Sequence, residues 1–128
     1  MEAYNLQSIV KDLPELKITP DTTFEEAMAA HRMLTSFDRS RIGLVRYCGD
    51  VPWERHLDGD ELLYVLDGEL DLKVLPEGEP ICTTLKAGSI FVVPKGLWHR
   101  PIAPSMVTLL FSTPVERNEH SFAEDPRV

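Results

Sequence analysis

From residue 41 onward, apolar and polar residues alternate with a period of two, which is the pattern of half-buried β-strands. Turn-forming pairs such as Asp67-Gly68 separate these short runs. The predicted strands are Arg41–Cys48, Val51–Leu57, Glu61–Leu66, Glu69–Leu75, Ile81–Leu85, Ser89–Val93, Trp98–Ile102 and Met106–Phe111. Many short strands at this spacing predict an all-β sandwich or a closed barrel.

The first 40 residues predict an arm and one helix that packs on this barrel, with an edge strand near Leu16–Thr19. A helix is predicted over Phe24–Leu34, because Thr22 and Thr23 each precede a glutamate by three residues, as in a capping box. Its apolar stripe consists of Phe24, Met28, His31 and Leu34. We interpret His31 as a residue at the border of this packing face rather than as a functional histidine.

Two further local features complete the predicted organisation. The turn Asp58-Gly59-Asp60 predicts that Val51–Leu57 and Glu61–Leu66 pair as an antiparallel hairpin. Residues 114–128 are charged and aperiodic, so we expect a tail that is mobile or draped over the surface. The barrel itself would occupy residues 41–113, and all three parts would form one domain.

Composition and charge narrow the class of protein. Thirteen basic and twenty-one acidic residues give a formal net charge of −8, so the surface field opposes binding to nucleic acid or to anionic membranes. No apolar run approaches the ~20 residues that a membrane span needs, and no signal peptide is visible at the N-terminus. Cys48 and Cys82 lack metal-binding or redox spacing and are expected to be buried free thiols. We expect a cytoplasmic protein.

The strand Val51–Leu57 carries the most reactive side chains. Glu54 and His56 are two residues apart and therefore share one face of this strand. Across the predicted hairpin, Glu61 can face them, because opposed residues in an antiparallel pair have Cβ atoms only ~5 Å apart. Two carboxylates and an imidazole directed at one point predict a metal site or an acid/base site.

Two spaced motifs extend this site. The first is Gly49-x4-Glu54-x-His56-x4-Glu61-x6-Gly68, and the second is Gly88-x5-Pro94-x-Gly96-x2-His99. In this order and spacing they resemble the two motifs of the cupin superfamily and span about half the chain. The chain departs from the family pattern in three ways. Glu54 stands where the family has its first histidine, the spacing before it is one residue short, and Ala103 replaces a closing asparagine.

This resemblance implies a double-stranded β-helix, the jelly-roll-like barrel, with a divalent metal inside it. Most cupins bind that metal through three histidines and a glutamate. By position, the implied ligands here are Glu54, His56, Glu61 and His99. Two imidazoles with one or two carboxylates suit iron, manganese, zinc, nickel or cobalt. The alternative for Glu54 is an ion pair with an arginine such as Arg55 or Arg100, which would leave three ligands or a degenerate site.

Strand parity assigns the neighbouring residues. Leu63 and Val65 share the face of Glu61 and would line the pocket, whereas Tyr64 would point away from it. Trp98 and Arg100 would also face away from the metal, on the side opposite His99. The remaining aromatic residues beside the motifs, Trp53 and Phe91, are expected to form core or wall. Arg46 could hold a substrate carboxylate, although a solvated surface arginine is the simpler interpretation.

The resemblance implies three functional hypotheses. The first is a metal-dependent enzyme acting on a small organic molecule as a dioxygenase, an isomerase or a lyase, in which an unligated Glu54 could serve as catalytic base. The second is a non-catalytic module that binds a metal or a small molecule. The third is a barrel whose metal only holds the fold. We also expect a homodimer, because cupins of this size commonly pair through barrel edges, and the N-terminal arm could cross to a partner.

Overall fold

The computed structural model describes all residues from Met1 to Val128 and contains ten strands and two short α-helices. The helices are α1 (Leu6–Ile9), which continues into a 3-10 turn, and α2 (Phe24–Ala29). The strands are β1 (Glu15–Ile18), β2 (Arg32–Phe37), β3 (Ser40–Gly49), β4 (Trp53–His56), β5 (Glu61–Asp67), β6 (Glu69–Leu75), β7 (Ile81–Lys86), β8 (Ile90–Val93), β9 (Trp98–Pro114) and β10 (Asn118–Ser121). None of the helices has the length and apolar character of a membrane-spanning helix.

The strands form two facing layers that share β9. In one layer β3 pairs with β9, β9 with β5, and β5 with β8, while β1 and β2 both pair with β3. In the other layer β10, β4, β9, β6 and β7 follow one another. The predicted all-β barrel is therefore confirmed.

Strand β9 is 17 residues long and joins the two layers. Its first part pairs with β4 and β6, and its second part pairs with β3 and β5. The sequence predicted two separate strands here, Trp98–Ile102 and Met106–Phe111, and this prediction was wrong because the chain bends from one layer to the other without leaving the sheet. Strands that change sheets at a bend are a common way of closing such sandwiches.

The barrel interior is filled by alternate residues of the strands. In β6, Leu70, Leu72 and Val74 point inward and are almost fully buried, as the alternating pattern predicted. Leu63 and Val65 of β5 also point inward, on the same face as Glu61. These residues belong to a cluster of 13 buried side chains between the two layers, so the barrel interior is a packed core.

The first 40 residues differ from the expectation in one respect. The helix predicted over Phe24–Leu34 ends at Ala29, and Arg32–Phe37 pairs as a strand with β3. The predicted apolar stripe is consequently not buried: Phe24 is 69% exposed and Met28 is 40% exposed. Thr23 does cap the helix, since its side chain accepts a hydrogen bond from the backbone of the third helical residue. The expected edge strand near Leu16–Thr19 is confirmed as β1 to within one residue.

Arg46 has neither of the roles considered from the sequence. Its guanidinium group donates to the backbone carbonyls of Val10 (2.9 Å) and Leu13 (3.4 Å) and to the hydroxyl of Thr108 (3.0 Å). It therefore fastens the N-terminal arm to β3 of the same barrel. The expectation of two buried thiols was also wrong, because Cys48 is half-buried and Cys82 is exposed.

One glycine of the first motif is required by the backbone. Gly49 has φ of +118° at the end of β3, a conformation that side chains disfavour. A Cβ atom there would also clash with the carbonyl oxygen of Ile18. Gly49 thus lets β1 lie against the end of β3 immediately before the chain enters β4.

Candidate metal centre

The structure brings all four implied ligands to one place inside the barrel. The ligand atoms of Glu54, His56, Glu61 and His99 lie within 4.8 Å of one another. Nε2 of His99 is 2.9 Å from Oε1 of Glu61 and 3.2 Å from Oε1 of Glu54. Nε2 of His56 is 3.2 Å from Oε2 of Glu61 and 4.0 Å from Oε1 of Glu54.

The route by which these residues meet differs from the predicted hairpin. Strand β4 pairs with β9 and β10, and strand β5 pairs with β8 and β9, so β4 and β5 belong to opposite layers. Glu54 lies directly beside His99 in the register of β4 and β9, and Glu61 reaches them across the interior. The side chains face the directions that strand parity predicted, but the predicted hydrogen-bonded pairing of the two strands was wrong.

Hydrogen bonds at the rear of each imidazole determine which nitrogen faces the centre. Nδ1 of His99 lies 3.0 Å from the carbonyl oxygen of Leu97, which can only accept. Nδ1 of His56 lies 2.7 Å from Oδ1 of Asn118. Both Nδ1 atoms therefore carry hydrogen, and in the neutral imidazoles both Nε2 atoms present a lone pair to the centre.

This arrangement places four electron-rich groups against one another, because carboxylates also only accept hydrogen bonds. Nε2 of His56 is buried and has no hydrogen-bond partner, although Oε2 of Glu61 is only 3.2 Å away. Such a cluster needs positive charge at its centre, which either protons on the imidazoles or a cation can supply. The two carboxylates carry two formal negative charges, which a divalent cation would neutralise. The residues therefore fit a divalent metal ion by donor type, orientation and charge.

The same geometry shifts the proton affinities of these groups when no metal is bound. Burial lowers the pKa of His99, but the carboxylates of Glu54 and Glu61 outweigh it and raise the pKa to about 10. The pKa of His56 is also raised, since the same carboxylates outweigh its burial. Burial acts to raise the pKa of Glu61, yet the two imidazoles hold it well below its usual range.

The carboxylate of Glu61 has an additional support. The hydroxyl of Thr113 donates to its Oε2 at 2.5 Å, while Oε1 faces His99. Thr113 lies at the far end of β9, outside both motifs, so no motif or periodic pattern in the sequence marked it. It fixes the orientation of the most buried carboxylate in the site.

The arginine alternative for Glu54 does not occur in the structure. Arg55 pairs with Glu119, and Arg100 donates to the carbonyl oxygen of Val51 and lies 3.9 Å from Asp50. Glu54 instead faces three histidines: its Oε1 faces His56 and His99, and its Oε2 is 3.8 Å from Nε2 of His120.

Trp98 and Arg100 point away from the centre, as parity predicted. Trp98 packs with Trp53 and Leu75 in a separate buried cluster, and the guanidinium group of Arg55 lies 4.6 Å from its ring centroid.

Two residues that sequence reasoning missed come from β10, within the stretch expected to be a mobile or draped tail. Asn118 contacts His56, and His120 contacts Glu54. The available signal was the polar alternation Asn118-Glu119-His120, with a complementary charge at Glu119 for Arg55 of β4. Because the inward positions are polar, this strand did not show the apolar alternation by which the others were recognised.

A two-layer β-barrel with a buried cluster of histidines and glutamates is the architecture of a metal-binding barrel protein. Comparison with known families leads to the same class. The family model described as "Cupin domain" matches residues 47–112, just over half of the chain, and includes all four residues of the cluster. The chain belongs to the cupin domain family.

Three individual proteins illustrate this relationship. The uncharacterized protein YdbB of Bacillus subtilis (strain 168) is 36% identical over 59 residues, which are 46% of this chain and 50% of that protein, so the chain matches about half the length of this relative. Protein NMB1881 from Neisseria meningitidis has a TM-score of 0.67 at 21% identity, over 88% of this chain and 99% of that one. Hydroquinone 1,2-dioxygenase PnpCD, in complex with Cd2+ and 4-hydroxybenzonitrile, has a TM-score of 0.57 at 22% identity, over 66% and 63%.

Proposed function

We propose that this chain is a metal-dependent cupin enzyme that acts on a small organic molecule by dioxygenase, isomerase or lyase chemistry. The observation that carries the proposal is the buried cluster of Glu54, His56, Glu61 and His99, in which both imidazole Nε2 atoms and both carboxylates face one point. A purely structural core would not be expected to collect four such groups, because their burial is unfavourable without a compensating cation.

The proposed ligands are these four residues, and the candidate ions are iron, manganese, zinc, nickel and cobalt. When bound, such an ion would supply open coordination positions for a substrate and dioxygen, or would polarise a substrate carbonyl as a Lewis acid. The similarity of fold to a hydroquinone 1,2-dioxygenase supports testing oxygen-dependent chemistry on phenols first.

The exposed fractions of the four side chains indicate what each residue would do in this proposal. The side chain of Glu54 is 25% exposed, whereas those of His56 and Glu61 are 5% exposed and that of His99 is not exposed. A substrate would therefore approach from the side of Glu54, while Leu63 and Val65 close the inner side and exclude water. At this open side, a Glu54 that does not ligate the metal would hold or accept a proton at its carboxylate.

Metal analysis of the purified protein is the first test, with oxygen uptake then screened against phenols, diketones and sugar acids. We expect about one divalent ion per chain, and loss of this ion when His56 and His99 are both changed to Ala. A matched control is His31→Ala, which removes a histidine outside the cluster. Stoichiometric metal in the double variant would show that the assigned ligands are wrong. An absence of metal from the native protein after reconstitution would refute the proposal itself.

The packed interior favours a second candidate, a non-catalytic barrel in which a bound metal serves binding or holds the fold. Thirteen buried apolar or aromatic residues fill the space between the layers. Metal removal distinguishes the candidates: unfolding on chelation, with no turnover for any substrate class, would favour the structural role. A folded metal-free protein that regains turnover on metal addition would favour the enzyme.

We also propose that the protein is a homodimer that pairs through a barrel edge. Strand β8 pairs with β5 along one edge only, and its residues Ile90 and Val92 are 61% and 49% exposed. The N-terminal arm is less suited to crossing to a partner, because Arg46 fastens it to its own barrel. Light scattering should give twice the chain mass of 14.5 kDa, and Val92→Lys should lower it to that of one chain. A clean monomer at high concentration would contradict this expectation.

A further inference from the structure

The short strand β10 pairs with β4, the strand that carries Glu54 and His56. Each residue of β10 lies opposite one residue of β4. Asn118 lies opposite His56, Glu119 opposite Arg55, and His120 opposite Glu54. Strand β10 lies beyond residues 47–112, the part of the chain that the cupin family model matches. The residues of β10 that face the site therefore lie outside the part of the chain by which the family is identified.

Asn118 is held in one orientation by its own hydrogen bonds. Its amide nitrogen donates to the carbonyl oxygen of Pro114 at 2.8 Å and to that of Val115 at 3.4 Å. The amide oxygen must consequently be the atom that faces Nδ1 of His56, at 2.7 Å. Because an amide oxygen only accepts, Nδ1 of His56 must donate.

This contact decides between two tautomers that would otherwise compete. Without Asn118, a neutral His56 would gain by carrying its hydrogen on Nε2, because Oε2 of Glu61 lies only 3.2 Å away and accepts. In that tautomer the lone pair on Nδ1 would face away from the cluster, and a metal ion would have to displace the Nε2 proton. With Asn118 in place, the hydrogen is held on Nδ1 and the lone pair on Nε2 faces Glu54 and Glu61.

We propose that Asn118 is a positioning residue that holds His56 in its metal-ligating tautomer. The proposal rests on the metal site of the proposed function and extends it to a residue of the C-terminal segment. By linkage, a metal ion that binds this tautomer also stabilises the docking of β10 on β4. Outer partners of metal-ligating histidines commonly act in this way, and their loss weakens metal binding by about 10- to 100-fold.

Titration of the metal-free protein with Zn2+ or Mn2+ tests the proposal in three variants. Asn118→Ala removes the acceptor and should weaken binding by about 10- to 100-fold. Asn118→Asp keeps an acceptor at the same distance and should retain most of the affinity. Glu119→Gln is the matched control, because Glu119 lies on the same strand but faces Arg55 outside the site. Unchanged affinity in Asn118→Ala, or an equal loss in Glu119→Gln, would overturn the proposal, since the second result would indicate loss of the strand only.

The tautomer itself can be read without any variant and without metal. Long-range 1H–15N correlation spectra of the metal-free wild type, recorded at a pH high enough for a neutral imidazole, should show hydrogen on Nδ1 of His56. Hydrogen on Nε2 in the wild type would overturn the assignment even if Asn118→Ala failed to fold. If the wild type binds no divalent ion, the proposed function fails, and this spectrum still decides whether Asn118 fixes the ring.

Discussion

Removing the metal from the cluster of Glu54, His56, Glu61 and His99 should change how the stability of the protein depends on pH: above about pH 6.5 only the metal-free protein should lose stability. The metal is removed with a chelator, and the free energy of unfolding in urea is measured at a series of pH values. In the metal-free protein, protons on the imidazoles supply the positive charge that the two carboxylates require. In the metal-loaded protein the ion supplies it, and the imidazoles must be neutral to bind.

In the metal-free protein, His99 determines whether the free energy of unfolding rises or falls with pH. Its pKa is about 10 in the folded state and about 6.5 in the unfolded chain. Its protonation therefore contributes stability that is fully present below about pH 6.5 and is lost as the pH rises toward 10. One proton corresponds to about 1.4 kcal/mol per pH unit, so His99 alone should remove roughly 2 to 3 kcal/mol between about pH 7 and pH 9. His56 acts in the same direction, because its pKa is also raised.

Glu61 determines where the metal-free protein loses stability as the pH falls. Its pKa is held below the ordinary value of about 4.5, so its contribution is present above that value and is lost as the pH falls through its lowered pKa. Together these groups place the maximum stability of the metal-free protein between about pH 4.5 and 6.5. Two groups with opposite shifts thus enclose a narrow window.

The metal-loaded protein should behave differently above this window. Its imidazoles are neutral in the folded state, so its stability rises with pH until the histidines of the unfolded chain are also neutral, about one unit above their pKa of about 6.5, and is then level. Urea unfolding with excess Mn2+ or with a chelator gives both profiles, and His31→Gln serves as a control histidine outside the cluster. A metal-free protein that gains stability between pH 7 and pH 9 would refute this account of the site.

Two further predictions concern single side chains. Changing Glu54→Gln should weaken binding of every divalent ion if Glu54 is a ligand, and Glu54→His should shift preference from Mn2+ toward Ni2+; competitive titration of both variants measures this. If Glu54→Gln instead keeps its affinity and loses turnover, Glu54 is a base, and if neither variant changes affinity, preference or activity, it is a bystander. Changing Arg46→Ala should lower the free energy of unfolding by about 2 kcal/mol and expose the N-terminal arm to limited proteolysis. Protease resistance equal to that of the wild type would show that other contacts hold the arm.

The sequence predicted the fold well because each of its signals was local. Alternation gave most strands, and the motif spacing gave the four residues that the structure brings together. The pairing of strands was harder to predict, because alternation specifies which face of a strand is buried but not which strand lies beside it. Glu54 and Glu61 therefore met across the barrel interior and not along the predicted hairpin.

The misassigned segments share a physical cause. Residues 30–34 continue the helical spacing of apolar positions, but Arg32–Phe37 pairs with β3 on both sides of one irregularity between Met33 and Thr35, and this pairing outweighs a weak helical preference. Strand β10 was missed for the opposite reason. Its inward residues are polar because they face Glu54 and His56 and not the apolar core, so no hydrophobic pattern marks it. A strand that serves a polar site lacks the signal by which strands are usually recognised.

The glutamate at position 54 also sets the charge of the candidate site, which bears on the substrates that it would accept. With two neutral imidazoles and two carboxylates, a bound divalent ion is formally neutralised, whereas three imidazoles and one carboxylate would leave one positive charge. One unit charge about 4 Å away contributes about 4 kcal/mol at an effective dielectric constant of 20, and less where water reaches the site, as it does at Glu54. We therefore expect the metal-loaded protein to bind a neutral phenol more tightly than a carboxylate of the same shape. Glu54→His should reverse this order in calorimetric titrations of the two compounds. Tighter binding of the carboxylate by the wild type would show that charge at position 54 does not govern substrate choice.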